Sequence, residues 1–434
     1  MNTDVAVRRE LPSARTAKPA PRARRWFSFI GAGSMVAVGY MDPGNWATDL
    51  AAGAQYGYAL LSVVLLASLA AMLLQWVSSR VGLVTGRDLA ELCRERFGRR
   101  MTLFLWIASE IAIIACDVAE VVGSAVALQL LFGVSLVVGV IVSAVGTIAL
   151  LALRGLGTRA IEIAVTALIL FVGVSLAAQL AIAKPAWAPM LIGLVPNLDI
   201  VRHAGMLWLA AGILGATVMP HNLYLHSALV KRHAPDGDTR EIQQALRGVN
   251  VDTLGALSIA FFINAALLAV AAAVFHAAGQ TQLNDLADAH RLLTPLVGKG
   301  WAGPLFAAAL LACGLNSTVT GTLAGQIVME GFTKLRLKPW QRMLVTRALA
   351  LGPALVAVAI YGEGGSNRLL VASQVVLSMQ LPLAVMPLMV FAQDAGLMRQ
   401  WRVKGLVRAT CWGVTAAIVV LNAVIIWQSL PGHS

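Results

Sequence analysis

Eleven apolar runs, most of twenty residues or more, constrain this chain of 434 residues more tightly than any motif in it. A helix needs about 20 such residues to cross a bilayer, where every backbone N–H and C=O has to be paired within the chain. The runs fall at roughly 27–57, 59–81, 102–131, 133–153, 159–183, 204–231, 248–276, 301–332, 341–360, 367–391 and 406–429. With 58% hydrophobic and only 12% charged residues, the composition excludes an ordinary water-soluble domain. The expectation is an all-α polytopic membrane protein. Residues 1–26 lie outside this pattern: they are basic and rich in Ala and Pro, with no short apolar core, and read as a disordered cytoplasmic tail.

The net charge of +12 suggests nucleic acid until its distribution is read. With the N-terminus in the cytoplasm, 28 of the 33 Lys and Arg residues fall in the tail and on the cytoplasmic side. Only Lys184, Arg202, Arg291, Lys299 and Arg368 fall on the other side. This is the positive-inside bias, so no nucleic-acid partner is needed, and an odd number of spans puts the C-terminus outside. The partner is the lipid bilayer, and the setting expected is a bacterial plasma (inner) membrane. Cys93, Cys116, Cys313 and Cys411 form no CxxC pair, and the three that fall in predicted spans, Cys116, Cys313 and Cys411, read as small buried hydrophobes.

Two spans are interrupted at mid-depth. The first contains "YMDPGNWATD" (40–49), which places Asp42, Pro43, Gly44 and Asn45 where lipid surrounds the chain. Each is costly there, as a charge, a helix-breaker, a flexible backbone unit and an amide. The sixth contains "GILGATVMPHNLYLHS" (212–227), with Met219, Pro220, His221 and Asn222 at its centre. Spans 1 and 6 open successive five-helix sets and run in opposite directions. Broken helices at matching positions of an inverted repeat point to the central site of a secondary transporter. The breaks free carbonyl groups, Asp42 adds a charge, Asn45 an amide oxygen and Met219 a thioether. Hard Mg²⁺ and Ca²⁺ gain little from sulfur, so this set favours a divalent transition metal.

"DPGN" in span 1 and "MPH" in span 6 together resemble the Nramp family of proton-coupled divalent metal transporters. "GLNSTVTGTLAGQIVMEGF" (314–332) is similar to the transport signature of that family's eighth helix. The resemblance implies a LeuT-type fold with a 5+5 inverted repeat. Helices 1–5 would occupy 27–183, helices 6–10 would occupy 204–391, and an eleventh helix would follow at 406–429. It implies Mn²⁺ or Fe²⁺ as imported substrate and no resident cofactor. Cd²⁺, Co²⁺ and Zn²⁺ would also bind by their place in the Irving–Williams order. Carried over residue by residue, the metal ligands would be Asp42, Asn45 and Met219, the carbonyls of Gly39 and Ala216, and Gln374 on closure of the outer gate. The proton pathway would use Asp42, His221, Asp117, Glu120 and Glu110, with Arg342 and Arg347 in the ninth helix.

The sequence departs from the family pattern at Gly39, where alanine is common, at Ala32, where proline is common, and at Met343, where some relatives carry arginine. Three other readings are weaker. A sodium-coupled amino-acid symporter on the same fold would not put Asp42 and a thioether at its site. An intramembrane enzyme lacks HExxH or another catalytic pairing, and a passive channel does not need a midplane site between broken helices. Two polar features are discounted. The sequon at Asn316 lies inside a span, and Asp285, Asp288, His276 and His290 in the 7–8 loop read as a solvated face.

Overall fold

In the computed structural model the described residues are 31–428, apart from 153–157, 233, 235–238, 282–285, 298–299, 336, 339–340, 342–343, 346–347, 350 and 357–365; the side chains of 147–165 and 293–299 are also outside the description. The expected tail at 1–26, Asp285, Arg342, Arg347 and nine of the twenty residues expected for span 9 therefore lie outside it. Among the described residues the secondary structure is helical throughout.

Span 1 is two helices, α1 (Ala32–Gly39) and α2 (Pro43–Tyr56). Span 2 is α3 (Leu61–Thr85), followed by a short helix α4 (Leu89–Arg96). Spans 3, 4 and 5 are α5 (Arg99–Phe132), α6 (Leu136–Ala152) and α7 (Thr158–Ala183). Span 6 is divided into α8 (Ala204–Val218) and α9 (Pro220–Lys231). Span 7 is α10 (Thr239–Ala271), continued as a wider turn over Ala272–His276. Then come α11 (Leu286–Val297), α12 (Ala302–Thr333, span 8), α13 (Ser366–Gln393, span 10) and α14 (Gly405–Gln428, span 11).

Eight described helices are long and apolar enough to cross a membrane, against eleven expected runs. The difference has physical causes. The break leaves span 1 as pieces of 8 and 14 residues, α6 has 17 residues, and the described residues of span 9 are separated by gaps, so no helix of that length is described there. Span 7 starts at Thr239, nine residues before the expected 248, because its first turns form a polar extension carrying Arg240, Glu241 and Arg247.

Polar groups and breaks gather at the centre, and uninterrupted apolar helices lie outside. The helix α5 packs against both α12 and α13, α10 lies against α1, α2 and α3, and α8 lies against α3 and α13. Peripheral helices leave large apolar side chains uncovered, among them Ile141 on α6, Leu170 and Val174 on α7, and Leu406 and Val420 on α14. In a bilayer these faces contact lipid rather than water.

The 2–3 connection is more structured than a loop. Asp88 caps α4 by accepting from the Glu91 N–H, and the Glu91 carboxylate accepts from the Asp88 N–H, a reciprocal cap. Lys231, at the end of α9, makes ion pairs with Asp88 and, at 2.7 Å, with Glu91. The Leu89 N–H donates to Ser227 Oγ, and Ser78 Oγ donates to the Leu223 carbonyl. The second half of span 6, α9, is therefore tied to α3 and α4 along its length. Burial pushes the Asp88 carboxyl up to about 6 in spite of Lys231. Glu91, partly buried too, is held below the usual range by Lys231.

This gives a signed pH prediction. Below about pH 6 the folded protein keeps Asp88 protonated, so no counter-ion is needed. Above that value the buried charge depends on Lys231. Lys231→Ala should cost about 1–3 kcal/mol at pH 8, since Asp88 is buried while Lys231 stays partly exposed, and clearly less at pH 5. Thermal unfolding of the purified protein at the two pH values checks it: an equal loss at both would show that Asp88 does not carry the effect.

Candidate metal site at the two helix breaks

Both breaks are built by proline at the first position of the second half-helix, where its missing N–H is tolerated and its fixed φ is helical. In span 1 the chain closes α1 with tight turns at Tyr40 and Met41, then extends at Asp42 (φ −70°, ψ 167°). The Asp42 carboxylate caps α2 by accepting from the Asn45 N–H at 2.8 Å. In span 6 the turn is made at Met219, whose φ of +25° is a conformation that favours glycine. Such a backbone costs about 1–3 kcal/mol and persists only where its surroundings impose it. A methionine kept there implies a use for its side chain.

The structure brings Asp42, Asn45, Ala216 and Met219 together, all essentially inaccessible to solvent. In the orientation that satisfies its neighbours, the Asn45 amide donates to Asp42 Oδ1 at 2.6 Å and to the Ala216 carbonyl at 3.2 Å. Its oxygen accepts from Asn264 Nδ2 at 3.1 Å, and Asn264 also donates to the Tyr40 carbonyl at 2.9 Å. Asn222 Nδ2 lies 3.5 Å from the Met219 sulfur. Gly39 lies close to both, since a Cβ placed on it would fall 3.2 Å from that sulfur. Among the described residues no group of three or more His, Cys, Asp and Glu is clustered to hold a metal ion. Any ion here would depend on a mixed set of carboxylate, amide, carbonyl and thioether.

Gln374 of α13 covers the pair of breaks. Its side chain lies against Gly44 and its backbone carbonyl against Gly215, and at either glycine a Cβ would overlap it. Gln374 is fully buried, and its Oε1 has no hydrogen-bond partner.

The acids expected in span 3 lie beside this centre. Asp117 and Glu120 are buried and converge on Gly321 of α12, where a Cβ would stand 2.9 Å from Glu120 Oε1 and 3.6 Å from Asp117 Oδ1. Cys116 lies between them and the break, with its sulfur 4.0 Å from Asp42 Oδ2 and 3.9 Å from Glu120 Oε1. It also packs against Met219 and Leu377, so its role as a small buried group is played at the site itself. Glu110 is set apart from these acids: it is half-buried and its Oε1 accepts from the Trp106 indole at 2.9 Å. His221 is buried with no partner for its Nδ1.

Sequence reasoning missed a second histidine arrangement. His226 Nδ1 is 3.0 Å from Gln75 Oε1, and His226 Nε2 is 3.3 Å from Thr253 Oγ1. Gln75 Nε2 in turn donates to the Tyr40 hydroxyl at 2.9 Å. The tautomer with its proton on Nδ1 satisfies every contact. Four spans are thus joined by one buried chain ending at the first break. In the 7–8 segment His276 is exposed, with its Nδ1 3.0 Å from the Ala54 carbonyl.

The packing of Gln374 gives a test independent of transport. Gly44→Ala should destabilise the protein by about 1–3 kcal/mol through overpacking. Gln374→Ala in the same chain should restore much of that loss, because the overlap is with a side chain. Thermal unfolding of both single variants and the double variant measures the coupling, and additive losses would contradict the contact.

The Nramp family, described as Natural resistance-associated macrophage protein-like, matches residues 33–428. The divalent metal cation transporter MntH of Xanthomonas campestris pv. campestris is 50% identical over 426 residues, covering 97% of this chain and 96% of that protein. MntH of Bradyrhizobium diazoefficiens is 49% identical over 434 residues, covering 99% and 96%. Among solved structures, a manganese transporter of Eremococcus coleocola superposes with a TM-score of 0.84 at 34% identity, over 98% of this chain and 90% of that one. MhsT in complex with L-phenylalanine superposes at 0.61 with 15% identity, over 90% and 98%, which shows the shared LeuT-type fold alone.

Proposed function

Because this chain belongs to the Nramp family, a family of transporters rather than enzymes, we propose that it imports divalent transition metal ions, Mn²⁺ and Fe²⁺ foremost, by proton-coupled alternating access. The observation that carries the reading is the meeting of Asp42, Asn45, the Ala216 carbonyl and the Met219 sulfur at two aligned helix breaks. The ion sits there near the bilayer midplane. The protein lies in a bacterial plasma membrane, with its basic connections and N-terminus in the cytoplasm and its C-terminus outside.

Asn45 supplies the binding step. Its NH₂ group bridges Asp42 Oδ1 and the Ala216 oxygen, the position a cation would take between two acceptors. A half-turn of the amide on ion binding replaces that donor with an oxygen ligand, and the Met219 sulfur completes the soft side of the shell. The Gly39 carbonyl adds an oxygen on the inner side. Gln374, already packed on Gly44, adds its unpartnered Oε1 as the outer side closes. Protons leave through Asp42, Glu120 and Asp117, with Cys116 in the gap between the first two. His221 and, elsewhere on span 3, Glu110 belong to the same route; Arg342 and Arg347, outside the described residues, are assigned to it by the family resemblance alone.

The carboxylate tests the site and the sulfur tests its selectivity. Asp42→Ala should abolish uptake of every divalent metal into proteoliposomes while the protein remains folded. Wild-type uptake by that variant would remove the site from the reading. Met219→Ala replaces a soft donor with space for water, an oxygen ligand that all these ions accept. It should keep part of the Mn²⁺ transport, lose Cd²⁺ affinity most and admit Ca²⁺ as a competitor. Parallel uptake of Cd²⁺, Mn²⁺ and Ca²⁺ decides this: an unchanged rank order would make Met219 a packing residue.

A further inference from the structure

Asp49 is a buried acid that the proposed mechanism does not use. It lies in α2, four residues beyond Asn45 and seven beyond Asp42, and is only 1% exposed. At about 100° per residue those spacings put all three on one face of the helix. Its neighbours in that face fix what it meets. Asn45, one turn before, touches Ala216 of α8 and Asn264 of α10. Gly53, one turn after, lies against Leu268 and Ala271 of α10. Asp49 therefore looks toward α10 between residues 264 and 268, a stretch reading Asn-Ala-Ala-Leu-Leu.

That stretch contains no cation, and its one amide is already committed. Asn264 Nδ2 donates to the Tyr40 carbonyl and to Asn45. Asp49 Oδ2 and Asn264 Oδ1 are both buried without a hydrogen-bond partner. Asp42, two turns away, acts on Asp49 only as a second negative charge. Unpaired acceptors and no donors, in a place where burying a charge is expensive, describe a position made for a positive ion.

We infer that Asp49 is a second cation-holding station, in line with Asp42, where a divalent metal ion stops in the outer half of span 1 before it reaches the two breaks. The inference rests on the proposed site and orientation. The ion is held at Asp49 with the Asn264 oxygen as a further ligand, then moves one turn to the Asn45 amide and on to Asp42. Because the station lies on the path and not at the destination, it acts on capture and not on final affinity.

The test separates those quantities. Mn²⁺ uptake into proteoliposomes gives KM, and calorimetric titration of the purified protein with Mn²⁺ gives affinity at the central site. Asp49→Asn keeps shape and hydrogen bonding but removes the charge. It should raise KM about tenfold and change the titrated affinity less than about twofold. Asp49→Glu, which keeps the charge, should stay within about threefold of wild type in KM. Asp49→Ser removes the charge with a smaller side chain and should raise KM in the same way, so the test survives poor expression of either variant. An unchanged KM in Asp49→Asn or Asp49→Ser would make Asp49 a neutral structural group and overturn the inference. Equal shifts in KM and titrated affinity would overturn it too, by placing Asp49 in the central site. Asp42→Ala run alongside keeps the readings apart: if it transports, the central site is wrong, whereas a silent Asp49→Asn beside an inactive Asp42→Ala removes only the station.

Discussion

Backbone groups released inside a membrane need partners, and the centre of this protein is organised by where those partners come from. A break in a span frees several N–H and C=O groups with no water nearby to receive them. Here other parts of the chain receive them. Asp42 takes the Asn45 N–H, Asn264 reaches the Tyr40 carbonyl, and Asn45 reaches the Ala216 carbonyl. The two breaks are therefore stable only as part of the whole bundle. The same groups that stabilise them provide the polar surface on which a metal ion would be held.

The two ends of the broken spans are secured by different chemistry. Around Gln374 the contact is steric: Gly44 and Gly215 lie so close to α13 that a methyl group at either would overlap it. Elsewhere, the second half of span 6 is held by Lys231, Asp88 and Glu91 and by hydrogen bonds from Ser78 and to Ser227. The start of α1 is held by Asp252 of α10, whose carboxylate accepts from the Gly31 and Gly33 N–H groups at 3.1 and 2.7 Å. A transporter that alternates between two openings has to loosen one set while keeping the other. A packed glycine contact and an ion-paired contact respond differently to charge and pH, which lets one ion or proton bias the choice.

The spans and the breaks were legible in the sequence because their causes are local. Apolar length sets a span, and Pro43 and Pro220 can only begin a new half-helix. Asp42 and Asn45 stood out because each is costly at that depth, and Met219 because it stands beside Pro220 at the second break. Cys116 did not, since a lone buried cysteine in an apolar run carries no signal until Asp42, Glu120 and Met219 are seen around it. Gln75, His226 and Thr253 come from three different spans, and only the tertiary fold puts them on one line to Tyr40. Asp49 was passed over although it stands in the same ten residues as Asp42, because its importance lies in what α10 fails to offer it. The reciprocal cap at Asp88 and Glu91 was within reach of sequence reasoning, but the apolar reading treated that segment as a connection between spans.

The central claim is that one sulfur and several oxygens at the two breaks hold the same ion. X-ray absorption spectroscopy of Mn²⁺ or Cd²⁺ bound to the purified protein observes those neighbours directly. The account predicts a single sulfur scatterer among oxygen and nitrogen neighbours in the wild type, and its loss in Met219→Ala with oxygen in its place. A shell of oxygen and nitrogen alone in the wild type, unchanged in Met219→Ala, would contradict it.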